Sequence, residues 1–229
     1  MQRHAITFLC AALIPSGLGR ANTQSAFDTS AEGWTIVEFI PIDHIASDPP
    51  ATAAAHDPAA GGSLRIEGTF NTWTWFSAPP SWLGKRASAM GGDLNWLLWT
   101  TLQSGPQGPA VALRGKSMTL YTEAPGEVPT PNQYSGFSPD LRSPGWRIND
   151  PANGVPATDG DMAEVLSDLR GVYLLASWHY GDSVTVHLDN VFMSGTPLPQ
   201  GCEGDLNDDG SVTAEDFVIL ARNFGCTAG

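Results

Sequence analysis

Along the chain, short runs in which apolar and polar positions alternate, or in which β-branched and aromatic residues crowd together, recur at residues 35–40, 63–66, 72–77, 94–101, 118–122, 172–177 and 183–188. Glycine- and proline-containing turn signals fall between them, so each run predicts a short strand. In the last run Val184, Val186 and Leu188 share one face while Thr185 and His187 take the other, the pattern of a half-buried strand in an antiparallel sheet. One stretch has helical spacing instead: Met162, Val165, Leu166 and Leu169, with Thr158 and Asp161 placed as a capping pair at its start. It spans about three turns, enough to pack on a sheet edge or close one end. Seven or more strands with one helix predict a mainly β fold, a two-sheet β-sandwich of the jelly-roll kind. Nothing in the pattern alternates helix with strand as a parallel α/β sheet requires.

Composition sharpens this picture. The chain has 229 residues, room for one ordinary domain and a small extra module, and its 25 glycines and 18 prolines with only 15% charged residues suit a turn-rich β body. Against 11 Lys and Arg stand 24 Asp and Glu, so polyphosphate partners are repelled and nucleic-acid binding is excluded.

The first residues read MQRHAITFLCAALIPSGLGRA: a basic residue at Arg3, an apolar run of about ten residues, then small residues ending at Ala21. This predicts a secretory signal peptide over residues 1–21, too short to span a bilayer. Cys10 follows Leu9 inside the apolar run, which does not suit a lipid-modified cysteine. Loss of Arg3 and Arg20 takes the formal charge from −13 to −15. The expected location is secreted, extracellular or cell-surface associated, with no membrane span.

After the signal, residues 22–194 read as one body, residues 195–201 (GTPLPQG) as a stiff proline-containing linker, and residues 202–229 as a small acidic module. Two cysteines remain, Cys202 and Cys226, and in an oxidising compartment a pair more often forms a disulfide than two free thiols. The closed loop would stabilise the folded tail by about 3 kcal/mol in the chain-entropy account. Two unpaired surface thiols are the alternative.

Between these cysteines lies GDLNDDGSVTAEDF. Counting Asp205 as position 1 places Asn207 at 3, Asp209 at 5, Ser211 at 7, Thr213 at 9 and Asp216 at 12, with Gly210 at the bend. Calcium takes six to eight oxygens, and this order supplies side chains at 1, 3, 5 and 12, a carbonyl at 7 and a water-holding side chain at 9. No helix pattern enters the loop, but Phe217, Ile219, Leu220 and Phe224 give the exiting segment an apolar face. The loop therefore resembles a single repeat of a type I dockerin, an EF-hand-like unit closed by Asp. A complete dockerin has two repeats, and no second one occurs here. The resemblance implies bound Ca2+ and, as one reading, docking to a cohesin-like partner; the other reading is a calcium-stabilised tail.

Three segments carry a second resemblance: FDTSAEGW (27–34), WTWFSAPPSWLGKRASAMGGDLNWLLW (73–99) and GWRINDPANGVPATDGDMAEVLSDLRGVYLLASWHYGDSVTVHLDNV (145–191). Their order is an aromatic strand ending in Phe-x-Ala-Pro, a Leu-Gly and small-Gly turn, an apolar strand, then a Gly-Trp, a short acidic helix and a closing Leu-Asp-Asn-Val strand. Together they are similar to the laminin B domain, also called laminin IV type A, in its secreted bacterial form. The match is poor over 103–142. The resemblance implies a jelly-roll sandwich like that of carbohydrate-binding and galactose-binding-like modules, used as an extracellular structural or adhesive unit, with no shared catalytic centre.

Candidate chemistry in the body is sparse. His44, His56, His179 and His187 show no metal-ligand spacing, and no G-x-S-x-G elbow occurs, so no catalytic residue is assigned. Among eight tryptophans, Trp73 and Trp75 lie two apart on one strand face, and Trp82 follows Pro79-Pro80 in a turn, so these three are candidate glycan contacts by ring stacking. Filling the inter-sheet core is their alternative role. Asp28 and Asp189 are a candidate second calcium site, with ordinary solvated carboxylates as the alternative. The function expected is a secreted, non-catalytic binding or structural protein with a calcium-binding tail. A second reading is a carbohydrate-binding accessory of polysaccharide breakdown, docked to a cohesin-like partner; a hydrolase has no residue-level support.

Overall fold

A computed structural model of the chain describes residues 23–40, 44–70, 72–101, 109–122, 129–142, 144–176 and 183–195. The expected signal peptide, the linker beyond Gly195, His179, the cysteine pair and the calcium-type loop lie outside the described residues.

Among the described residues, thirteen strands run in chain order: β1 Thr23–Ser25, β2 Thr35–Glu38, β3 Ala51–Ala53, β4 Ala55–Asp57, β5 Ser63–Thr69, β6 Thr74–Ser77, β7 Leu94–Thr100, β8 Val111–Arg114, β9 Thr119–Thr122, β10 Tyr134–Phe137, β11 Trp146–Ile148, β12 Gly171–Leu175 and β13 Ser183–Met193. They form two antiparallel sheets. One has the order β10-β7-β13-β5-β4 with β1 also on β13, and the other the order β11-β9-β8-β12-β6-β2-β3. Apart from the consecutive pairs β2–β3, β4–β5 and β8–β9, neighbours in each sheet come from distant parts of the chain, as in the expected jelly-roll β-sandwich.

The eleven-residue β13 holds the six-stranded sheet together. Val186 and Leu188 pair with Ile66 and Leu64 of β5 on one side, and with Thr100 and Leu98 of β7 on the other. Past Leu188 its β5 side is taken over by β1, with Ser25 opposite Val191. Between Asp189 and Phe192 the pairing with β7 shifts register, and Asn190 adopts φ +49° there, the bend that a β-bulge produces. Alternation along β7 buries Leu94, Trp96, Leu98 and Thr100 and leaves Asn95, Leu97 and Trp99 on the opposite, outer face.

In the seven-stranded sheet the central strands β8, β9 and β12 are buried on both faces. Phe76, Leu174, Val111, Leu113 and Leu120 make one apolar face for the core. The other face carries Trp75, Tyr173, Tyr121, Arg114 and Thr119, and Phe39, His44 and Asp48 pack against it. Phe39 stacks on Trp75 and meets Tyr173 edge-on, His44 Nδ1 bonds the Thr119 hydroxyl at 3.0 Å, and Asp48 pairs with buried Arg114. A strand set buried on both sides loses its alternation, which is why the run 172–177 reads as continuous apolar sequence.

The predicted helix is α1, Asp159–Ser167. Thr158 accepts from Asp161 N–H while the Asp161 carboxylate accepts from the Thr158 backbone, the reciprocal capping box expected from the sequence. Met162, Val165 and Leu166 are its buried face, and the backbone bonds of Gly84 and Arg86 to Leu169 and Leu166 tie it to the turn before β7, closing one end of the sandwich.

Candidate functional site

The predicted site residues part company in the structure. Trp75 is fully buried: its ring stacks on Phe39 at 4.9 Å and its indole N–H donates to the Phe39 carbonyl at 3.1 Å. Trp82 is 1% exposed, meets Trp34 edge-on at 5.4 Å, and donates to Ser25 Oγ at 3.1 Å. Neither can present a ring to a sugar, which corrects the expectation for both. The Pro80–Trp82 turn is a tight 3-10 turn, and it folds the indole inward against Trp34 rather than outward. Trp73 is half-buried at the sheet margin, 6.0 Å from Trp75.

Asp28 and Asp189 do come within electrostatic range of one another. The Asp189 carboxyl is held above the usual carboxylate range chiefly by burial; the Asn190 backbone N–H lowers it, and the charge of Asp28 raises it further. Among the described residues, no group of three His, Cys, Asp or Glu side chains is arranged to hold a metal ion. The pair is therefore an acidic spot with no third ligand of that kind beside it.

That spot borders a site that the sequence did not single out. Register places Tyr134 opposite Trp99, Trp99 opposite His187, and His187 opposite Arg65, one row across four strands on the outer face of the six-stranded sheet. Trp99 and His187 meet edge-on at 5.0 Å. His187 is 8% exposed and shares a 2.8 Å hydrogen bond with fully buried Ser63. Burial raises the Tyr134 hydroxyl above its ordinary value; Ser63 lowers it, and the charges of Asp189 and Asp57 raise it further. Beside the aromatic row runs a second one, Gly136, Leu97 and Asp189, in which Gly136 contributes no side chain above the sheet.

Ser63 and His187 make a hydrogen-bonded serine–histidine pair whose hydroxyl is fully buried. Burial, more than the opposing charges of Asp57 and Arg65, pushes His187 below its usual 6.5. A histidine kept neutral by folding contributes stability that is fully present above the unfolded value and is lost as pH falls through the lower folded value. Melting curves taken from neutral pH down to about 5 should show the melting temperature falling once pH drops below about 6.5, and His187→Gln should reduce that fall. His44, lowered by burial and then by Arg114, adds the same sign.

Comparison with known proteins agrees with this sandwich. A family model for Laminin B (Domain IV) matches residues 75–203, more than half of the chain. The chain belongs to the laminin B family. A laminin B structure, the L4b domain of human laminin alpha-2, superposes with a TM-score of 0.58 at 13% identity, covering 76% of this chain and 97% of that domain. A family 11 carbohydrate-binding module of the cellulosomal cellulase Lic26A-Cel5E of Clostridium thermocellum gives a TM-score of 0.39 at 10% identity, covering 80% of this chain and 91% of that one. No curated protein sequence matches the chain. Among the described residues, no helix of this laminin B protein is long and apolar enough to cross a membrane.

Proposed function

We propose that the chain is a secreted, non-catalytic extracellular protein whose laminin B sandwich binds or organises matrix polymers and whose tail is a calcium-binding attachment module. The observation that carries this reading is the family membership across the sandwich, together with an outer sheet face carrying aromatic and polar groups, on which the hydroxyl of the Ser63–His187 pair is buried. Secretion is supported by the signal-like N-terminus: a cut after Ala21 leaves β1, which starts at Thr23, intact against β13. Calcium binding in the tail is supported by the donor order Asp205, Asn207, Asp209, Ser211, Thr213 and Asp216, all oxygen donors at the spacing that a hard cation takes. A Cys202–Cys226 disulfide would staple that loop.

A second reading, in which the sandwich is a glycan-binding accessory docked through the tail to a cohesin-like partner, is favoured by exposed Tyr134 opposite partly exposed Trp99 on the outer sheet face. The tail is tested by calorimetry and circular dichroism with and without chelator. Asp205→Ala and Asp216→Ala should each abolish the calcium-dependent transition while leaving that of the sandwich in place. A tail transition insensitive to chelator would show that the spacing does not hold calcium.

A further inference from the structure

The outer face of the six-stranded sheet brings partly exposed aromatic rings and carboxylates together. Tyr134 is 41% exposed and Trp99 is partly exposed, although both lie on strands whose alternate positions are buried. Beside them run Gly136, Leu97 and Asp189, paired across β10, β7 and β13. Asp57 pairs with Ser63 at the β4 margin of the sheet, and the charges of Asp189 and Asp57 both act on the Tyr134 hydroxyl. His187, bonded to Ser63 at 2.8 Å, meets the Trp99 ring edge-on from the neighbouring strand.

A surface of this kind suits a sugar chain, whose C–H face stacks on an aromatic ring while its hydroxyls donate to carboxylates at the edge. The sign of the charge selects further. Asp57, Asp189 and Asp28 on a chain of net charge −13 repel sulfated and uronic-acid polymers. We infer that this outer face, with Tyr134 and Trp99 as the stacking platform and Asp57 and Asp189 as hydroxyl acceptors, is a binding site for a neutral polysaccharide. The inference rests on the extracellular-binding reading above and gives it a location and a ligand class.

The test uses the full mature chain against immobilised galactomannan, xyloglucan, mixed-linkage β-glucan, heparin, polygalacturonate and chitosan, with a matrix-protein surface in parallel. At least one of the three neutral polymers should bind, and Tyr134→Ala should weaken that binding about tenfold or more, the loss typical of a central aromatic contact. Asp189→Asn, which conserves shape, should weaken it as well, and near-UV circular dichroism should confirm that both variants keep the native fold. Neutral-glycan binding that survives Tyr134→Ala and is lost in Trp73→Ala overturns the location and leaves the glycan reading intact. Preference for heparin, polygalacturonate or chitosan overturns the ligand class. Retention on matrix protein with no polysaccharide bound overturns the inference while the extracellular-binding reading stands; retention on neither overturns both.

Discussion

Replacing Trp82 with alanine should lower the unfolding free energy of the sandwich by about 3–5 kcal/mol, the cost of emptying a large aromatic from a packed core. The indole is 1% exposed, sits edge-on to Trp34, and Trp34 in turn is edge-on to Phe27 at 5.9 Å. These three rings fill the end of the sandwich where the Pro80–Trp82 turn, β1 and the residues before β2 converge. Rings in this geometry add attraction beyond the area they bury, and a hole left by one is not closed by small shifts of the others. Urea unfolding followed by fluorescence measures the loss. A change below about 1 kcal/mol, the scale of a surface substitution, would mean that Trp82 is at the surface after all. Any loss of ligand binding in Trp82→Ala would follow from destabilisation and not from a lost sugar contact.

Ser25→Ala removes only one oxygen and should still cost about 2–4 kcal/mol, because that oxygen accepts from two buried donors. Trp34 Nε1 reaches it at 3.0 Å and Trp82 Nε1 at 3.1 Å, and Ser25 itself is 2% exposed. Alanine leaves two indole N–H groups unpaired where no water can serve them, and such a loss far exceeds that of a solvent-exposed hydroxyl. In a double-mutant cycle, Trp82→Phe already removes one of the two donors. The cost of Ser25→Ala should therefore shrink in that background, giving a coupling of the size seen for residues in direct contact. Additive losses would show that the hydroxyl does not serve both rings. Since Ser25 lies on the three-residue β1, the same variant also weakens the hold of the N-terminal strand on β13.

Much of the fold was legible in the sequence because its strands obey simple periodicity. The run 183–188 became the first half of β13 with Val184, Val186 and Leu188 inward, and Thr158 with Asp161 formed the helix cap. What stayed hidden were three- and four-residue strands. Ala51–Ala53 and Ala55–Asp57 are too short to show a period, and Tyr134–Phe137 contains a glycine that breaks a strand pattern. That last omission concealed the site, since Tyr134 lies in the stretch 103–142 where the family resemblance is weakest. Trp99 was visible as part of an apolar run, but only the pairing of β10 with β7 and of β7 with β13 shows that it faces outward between Tyr134 and His187. The tryptophans failed as site candidates for a related reason. A turn after two prolines fixes backbone direction but not which way the following indole points, and in Trp82 the buried Ser25 hydroxyl and the Trp34 ring decide that it points in. Asp28 and Asp189 act on one another electrostatically, and among the described residues no third His, Cys, Asp or Glu joins them in a metal-holding group.

The central claim, a binding sandwich without catalysis, is tested most directly by incubating the mature chain with immobilised extracellular polymers while following both retention and release of soluble fragments. The account predicts saturable retention on at least one polymer and no fragment or reducing-end release on prolonged incubation. Turnover of a polymer by the pure protein, abolished by Asp189→Asn or by another carboxylate substitution that preserves the fold, would contradict it.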